Sequence, residues 1–593
     1  MKFILKYLKP FSKRMTIGFC IKVTGTLVEL FLPYILSHIL KDVVVTQSIP
    51  NVVYWGLLMV LCAGSACVLN ITANRMAAKV ARDFSEKVRK ELFAKMLRLS
   101  AAQTDRFTIP SLESRITTDT YNVHNFVSMM QRMGVRAPIL LLGGTVITLL
   151  MDWYLALVML ASLPFIFGII YFISRKGVPL YAKVQQSVDR MVRVVREDVQ
   201  GIRVIKALSK GDYEHRRYDE VNKDLVANEK RAGVIMGSVN PLMALLMNMG
   251  IIMVITLSAS RVANLKSDPE TVIAFMQYFT LISMAMMTMS RIFVMFTKST
   301  ASAKRIAEVM DTPEDLIVQE EKLYPTCRTN AHILFERVSF SYLYHAAKKQ
   351  DVTTWSGCDN RYKTHMDLQE ISFELPRGGT LGIIGATGSG KSTLVKLLLR
   401  FYDVSEGSIY VNGRDIRTIP TPEFCSMFGT AMQYDFLYAD TIYENIRFGR
   451  ELSREQVELA AKVAQAHDFI TSFEDGYEHM LSAKATNISG GQKQRILIAR
   501  AIAAKPDILI LDDSSSALDY KTDANLRGAL SEHMKDTTIV TVAQRISSIK
   551  NCDLILVLED GRIIGKGTHE ELLEQCEEYR EISDSQMGGA FIE

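Results

Sequence analysis

Six stretches of this chain are apolar enough, and close enough to the roughly 20 residues that cover a bilayer's hydrocarbon core, to cross a membrane as helices. They fall at 16–40, 52–74, 133–152, 154–174, 234–260 and 271–296. All lie in the first half, and the half after about residue 310 reads as an ordinary soluble α/β domain. A chain of 593 residues also exceeds the roughly 250–300 residues at which single cores stop growing. The expected division is 1–310 for an α-helical six-span transmembrane domain with cytoplasmic extensions, 311–332 for a linker and 333–593 for the soluble domain. A composition 48% hydrophobic yet 22% charged suits a chain partly in lipid and partly in water.

The connections alternate in character. LKDVVVTQSIPN, MDWY and ANLKSDPE are short, whereas the segments after the second and fourth spans are long, helical and rich in Lys and Arg. By the positive-inside rule the long connections and both termini are cytoplasmic. RMAAKVARDFSEKVRKELFAKMLRL and RMVRVVREDVQGIRVIKAL carry the helical period well beyond the bilayer, so helices project into the cytoplasm. The turns near their tips, around LESRITTDTYNV and KGDYEHRRYDEV, are candidates to touch the soluble domain. In the sixth span Thr280, Ser283, Met287 and Arg291 share a helical face, in a region rich in Met (Met243, Met247, Met253, Met276, Met284, Met286, Met289). Two readings stand: a wet, adaptable cavity, because an intramembrane Arg is costly without water or a partner, or helix packing with Arg291 near the inner headgroups.

The net charge of +5 is small for this length, and the basic residues cluster beside apolar segments rather than in one block. That pattern suits membrane lipid and not nucleic acid as a partner. The cysteines (Cys20, Cys62, Cys67, Cys327, Cys358, Cys425, Cys552, Cys576) form no CxxC pair and read as reduced thiols facing a cytoplasm. MKFILKYLKPFSKRM reads as an amphipathic interfacial helix without a cleavage site, not a signal peptide.

In the second half, TLGIIGATGSGKSTLVKLLLR reads as strand, glycine loop and helix, and residues 385–392 match G-x-x-x-x-G-K-[ST]. Glycines let successive backbone N–H groups turn onto a phosphate while the helix N-terminus adds positive potential. Lys391 then reaches the outer phosphates, and Ser392 ligates Mg²⁺. The expected nucleotide contacts here are Gly385, Thr387, Gly388, Ser389, Gly390, Lys391, Ser392 and Thr393. Downstream lie NISGGQKQRILIARAI and ILILDDSSSALD.

These segments together resemble the ATP-binding cassette (ABC) transporters. Ser489, Gly490, Gly491 and Gln492 match the LSGGQ signature with Ile488 replacing Leu, Asp512 ends the Walker B strand, and 516–519 match the D-loop. Gln433 stands at the Q-loop position, and Tyr342 in FERVSFSY matches the aromatic that stacks on adenine. Six spans ahead of one cassette resemble an exporter-type half-transporter. The resemblance implies an α/β P-loop NTPase fold for the soluble domain, ATP as ligand, and Mg²⁺ held by Ser392, Gln433 and Asp512. It also implies a second half-transporter, the two cassettes meeting head to tail with each nucleotide between Walker motifs and signature.

Two departures fall at the hydrolytic centre. The residue after the Walker B aspartate is Asp513 where the family has Glu, and the H-loop position in TIVTVAQRISSI is Gln544 where it has His. A base must lie about 2.6–3.2 Å from the proton it takes, so a carboxylate one methylene shorter loses reach. A glutamine donates a hydrogen bond but cannot carry imidazolium charge. The chain therefore resembles the degenerate-site subunit of a heterodimeric bacterial multidrug-type exporter, with a different partner carrying Glu and His. Also unusual are SAKAT ahead of the signature, where the family often has an acidic, glycine-containing stretch, and a long polar insert after Tyr342. The insert's His345, Cys358 and His365 read as loop residues rather than metal ligands.

The expected function is ATP-driven export of an amphipathic drug, lipid or peptide. With no domain ahead of the first span, leader-peptide cleavage by a fused protease is not expected. The alternatives are a slow homodimer, an ATP-gated regulatory or channel-like subunit, and import.

Overall fold

The computed structural model describes residues 1–263, 269–321, 331–342, 366–433, 436–514 and 516–587. The insert with His345, Cys358 and His365 lies outside them. The chain divides into two compact units, one of Met1–Leu97 with Ile109–Thr312 and one of Arg98–Thr108 with Pro313–Glu593.

Among the described residues of the first unit, six helical segments are long and apolar enough to cross a membrane. The helices carrying the predicted spans are Ser12–His38, Ile49–Met96, Thr120–Met151, Trp153–Gln200, Val239–Ala263 and Pro269–Met310. Ile49–Met96 and Trp153–Gln200 each run 48 residues, about 72 Å at 1.5 Å per residue and more than twice the hydrocarbon thickness. The second runs through Pro179 just past the fourth span. Small side chains let the Thr120–Met151 and Pro269–Met310 helices close on each other: Ala137, Ala274 and Ala285 pack with Leu30, Leu140 and Tyr278. The Tyr278 hydroxyl donates to the Leu30 carbonyl at 2.6 Å, which satisfies a phenol that burial would otherwise leave without water.

The turn around LESRITTDTYNV belongs to the first unit. Arg115 and Asp119 of LESRITTDTYNV are buried and held inside the first unit, Arg115 donating to the Arg305 carbonyl at 2.8 Å and Asp119 pairing with the Arg305 guanidinium. The segment that belongs to the second unit is Arg98–Thr108. Its helix, Ala101–Phe107, starts on a reciprocal cap between Ser100 and Gln103 and lays Ala101 and Ala102 on the soluble core. A two-alanine face closes tightly against that core. The Tyr402 hydroxyl donates to Asp105 at 2.7 Å, and the Ser100 hydroxyl donates to Asp315 at 2.8 Å. The second tip, around the short helix Ile202–Ala207, leaves Val199, Ile202, Val204 and Leu208 exposed.

Among its described residues the second unit holds ten strands: β1 Ala331–Phe340, β2 Leu368–Pro376, β3 Thr380–Gly385, β4 Glu406–Val411, β5 Arg414–Asp415, β6 Phe428–Ala431, β7 Ile508–Asp512, β8 Thr538–Val542, β9 Leu554–Glu559 and β10 Arg562–Gly567. An antiparallel sheet runs β2-β1-β4-β5 and a second sheet runs β10-β9-β3-β8-β7-β6. In the second, β9, β3, β8, β7 and β6 are parallel and β10 is an antiparallel edge. All five residues of β7 are buried, as a parallel strand covered on both faces requires. Because β3 and β7 both flank β8, their carboxyl ends open at one edge of the sheet, where ligands bind in such folds.

Candidate nucleotide-binding site

The loop after β3 is shaped by glycine. Gly385 has φ +152° and a Cβ there would lie 2.0 Å from the Leu558 carbonyl oxygen, while Gly390 has φ +100° and a Cβ 2.6 Å from Leu368. A side chain at either position meets a strained backbone and a collision. The loop turns into the helix Lys391–Leu398, so the helix's first N–H groups face the space above it. Lys391 Nζ folds across the loop, donating to the carbonyls of Gly385 at 2.8 Å and Ala386 at 2.7 Å.

Above the loop is a cavity of about 520 Å³ lined by Thr387, Gly388, Gly390, Lys391, Ser392, Thr393, Gln433, Asp512, Asp513 and Gln544. Gly385 and Ser389 lie beneath it, the Ser389 carbonyl accepting from the Gly561 N–H at 3.3 Å. Tyr342 sits beside it, half-buried, donating its hydroxyl to Thr393 at 3.3 Å and meeting Tyr402 edge-on with ring centroids 5.2 Å apart. The signature residues do not line it. Ser489 and Gln492 instead form a reciprocal cap on the helix Gly490–Ala503, and Ser489 and Gly490 are exposed with Gly491 beside them.

The two aspartates of the strand end differ in environment. Asp512 completes β7 and is buried. Burial pushes its carboxyl up and the charge of Asp513 adds to this, with Lys391 and Lys396 pulling it back. Asp513 has left the strand with φ +51°, an uncommon conformation for a residue with a side chain, and its N–H donates to the Val542 carbonyl at 2.9 Å. Its Oδ2 accepts from Gln433 Nε2 at 3.0 Å and from Gln544 Nε2 at 2.9 Å. Burial raises this carboxyl too, opposed first by the Gln433 amide and then by Lys391, Gln544 and Arg545. Lys391 is pushed down by burial, and both aspartates oppose that shift.

These residues fit a magnesium nucleotide. The glycine cradle and the Lys391 ammonium offer donors to phosphate oxygens, and Ser392, Asp512 and the Gln433 carbonyl are the hard oxygen donors that Mg²⁺ prefers.

A family model for the ABC transporter transmembrane region matches residues 15–286, and a model for the ABC transporter matches 368–516. The chain is 34% identical over 588 residues to the uncharacterized ABC transporter ATP-binding protein YfiB of Bacillus subtilis (strain 168), covering 98% of each. The chain belongs to the ABC transporter family. It is a multi-pass membrane protein with a cytoplasmic nucleotide-binding domain. YknU of the same organism, another uncharacterized ABC transporter ATP-binding protein, is 33% identical over 501 residues, covering 84% of this chain and 82% of its own. The structure of a bacterial Atm1-family ABC exporter with ATP bound shares the fold, with a TM-score of 0.79 at 22% identity over 97% of this chain and 98% of that one.

This ABC transporter's cavity also includes Asp367, Gln369, Asp560 and Gly561, which the motifs do not mark. Asp367 accepts the Tyr342 N–H at 2.9 Å, which ties the aromatic to the cavity wall. Asp560-Gly561 is a hairpin dipeptide, so a turn between β9 and β10 was readable there. That the turn reaches the phosphate loop follows only from β9 lying beside β3.

Proposed function

We propose that this chain is the degenerate-site half of an ATP-driven exporter, pairing with a different half-transporter that carries the catalytic Glu and His. ATP lies on residues 385–393 with its adenine against Tyr342, and Ser392, Gln433 and Asp512 hold Mg²⁺. The partner's signature closes over this nucleotide, while this chain's 489–492 close over the partner's. Held by Ser392, Gln433 and Asp512, Mg²⁺ would supply charge neutralisation on the phosphates, and Lys391 would supply a cation to the same group.

The observation that carries the reading is the clamp on Asp513. Two neutral amides, Gln433 and Gln544, converge on one carboxylate oxygen. Each amide hydrogen bond opposes the rise that burial gives this carboxyl and occupies an oxygen that would otherwise accept from the attacking water. No imidazole lines the cavity among the described residues; the neutral Gln544 amide stands at that position, and Lys391 is left as the cation for the γ-phosphate. Such a site favours holding ATP over splitting it. Exposed apolar residues on the second tip support a second chain, since an apolar tip helix calls for a covering surface.

The test is Mg-ATP hydrolysis by the chain alone in lipid nanodiscs, beside Asp513→Glu with Gln544→His. Bound ATP with negligible turnover, raised by the double substitution, is expected. Turnover at or above about 1 s⁻¹, the lower end of ordinary enzymes, would make Asp513 a working base and the assembly a homodimer.

A further inference from the structure

Within the six predicted spans the sequence has three cations, Lys22, Arg136 and Arg291, and one acid, Glu29, apart from Asp152 at the outer end of the third span. Asp152 is committed there, its carboxylate accepting from the Tyr154 and Leu155 N–H groups. Charges at this depth are costly unless they meet a partner, water or a ligand. Lys22 is buried and donates to the side-chain carbonyls of Asn70 at 2.7 Å and Asn74 at 3.2 Å, neither of which cancels its charge. Arg136 donates to Glu29 at 2.5 Å. Its Nε and the second oxygen of Glu29 are buried without a hydrogen-bond partner. For Arg291 the described residues supply no ion pair or hydrogen bond.

Arg136 and Arg291 line one cavity of about 290 Å³ with Met133, Met284 and Met287, closed by alanines, leucines and Thr288. Met133, Arg136 and Leu140 follow one stripe of the Thr120–Met151 helix, while Leu281, Met284 and Thr288 follow the facing stripe of Pro269–Met310. The two arginines lie three and five residues inside the cytoplasmic ends of their spans, roughly 5–8 Å along the helix. Thr280 and Ser283 do not line this cavity: the Thr280 hydroxyl returns to the Met276 carbonyl at 3.0 Å, and Ser283 is buried. If Arg291 served packing alone, a partner would be needed. Instead a guanidinium fork, the side chain best matched to carboxylate and phosphate, stands open beside unbranched methionines that adapt to apolar shapes.

We infer that this cavity binds amphipathic organic anions: Arg136 and Arg291 hold the carboxylate or phosphate head, the methionines hold the apolar body, and Glu29 occupies Arg136 until the anion displaces it. As the cargo class of the transporter proposed above, the site rests on that reading. Glu29 is then an internal competitor, so it sets affinity low enough for release.

The test uses the full chain in phosphatidylcholine nanodiscs and two pyrene-labelled probes of equal length, decanoate and decyltrimethylammonium, each measured against empty discs. Saturable binding of the anion and not the cation is expected. Arg291→Gln should weaken it at least about tenfold, as loss of one charge-assisted hydrogen bond does, with partial rescue by Arg291→Lys. Glu29→Gln should tighten it, a gain that misfolding cannot imitate. Equal binding of both probes, an unaffected Arg291→Gln, or weaker binding by Glu29→Gln would overturn the site. In discs containing phosphatidylglycerol, displacement of the probe supports a leaflet lipid as the occupant, and undiminished binding supports a soluble amphiphile. Binding here needs neither ATP nor a partner chain. Selective binding without transport would therefore count against the transporter alone, and transport with unselective binding against the anion site alone.

Discussion

Tyr402→Phe removes one oxygen from the junction between Arg98–Thr108 and the cassette core. That hydroxyl donates to Asp105 at 2.7 Å, and Asp105 together with Tyr342 holds the phenol well above its ordinary proton affinity after burial has raised it. A hydrogen bond to a charged group contributes about 1.5–3 kcal/mol, and partial exposure of this pair reduces that to roughly 1–2 kcal/mol. Local opening of 98–108 should then become roughly 5–30 times more frequent. Hydrogen exchange on the full chain in nanodiscs reads this directly as faster labelling of 98–108, while β7 and β8 keep their protection. Asp105→Ala should give a similar loss, and the double variant little more than either single, because the two side chains act as one pair. Unchanged exchange in 98–108, or additive losses, would refute the assignment of this bond as the anchor, leaving the alanine face and the Ser100 cap to hold the segment.

Gly390→Ala should abolish nucleotide binding and lower the melting temperature, since φ +100° and a 2.6 Å approach to Leu368 together cost about 1–3 kcal/mol of strain; titration with a fluorescent ATP analogue and a thermal melt check this. Ser489→Ala removes a reciprocal cap and should cost about 1 kcal/mol, seen as a small drop in melting temperature with nucleotide binding by the isolated chain unchanged. Asp513 has a carboxyl raised by burial, so the folded chain binds its proton more tightly than the unfolded chain and stability falls as pH rises from the ordinary carboxylate range through the raised value. Asp513→Asn removes this slope, and its melting temperature relative to wild type should be level near pH 4 and higher at neutral pH; a constant difference would contradict the burial argument.

Much of this was legible in order along the chain. Spans are set by length and hydropathy alone, because a bilayer admits only segments that satisfy their own backbone. The phosphate loop is equally local: its glycines and Lys391 sit within eight residues, and the strand and helix that flank them follow from residue type. The Asp513 and Gln544 departures were visible as identities at fixed positions. Their convergence with Gln433 on one oxygen was not, since those residues lie on three segments brought together only by the β6–β7 and β7–β8 pairings.

Sequence alone thus determined which half of the chain enters the membrane, where a phosphate loop forms and which residue types stand at its catalytic positions, since each depends on hydropathy or backbone shape within a few residues. Tertiary structure decided that Arg98–Thr108 and not LESRIT belongs to the cassette unit, that the β9–β10 turn walls the nucleotide cavity, and that Arg136 and Arg291 share one cavity. Those outcomes depend on which surfaces pack most closely, and packing compares residues hundreds of positions apart, which no local pattern encodes.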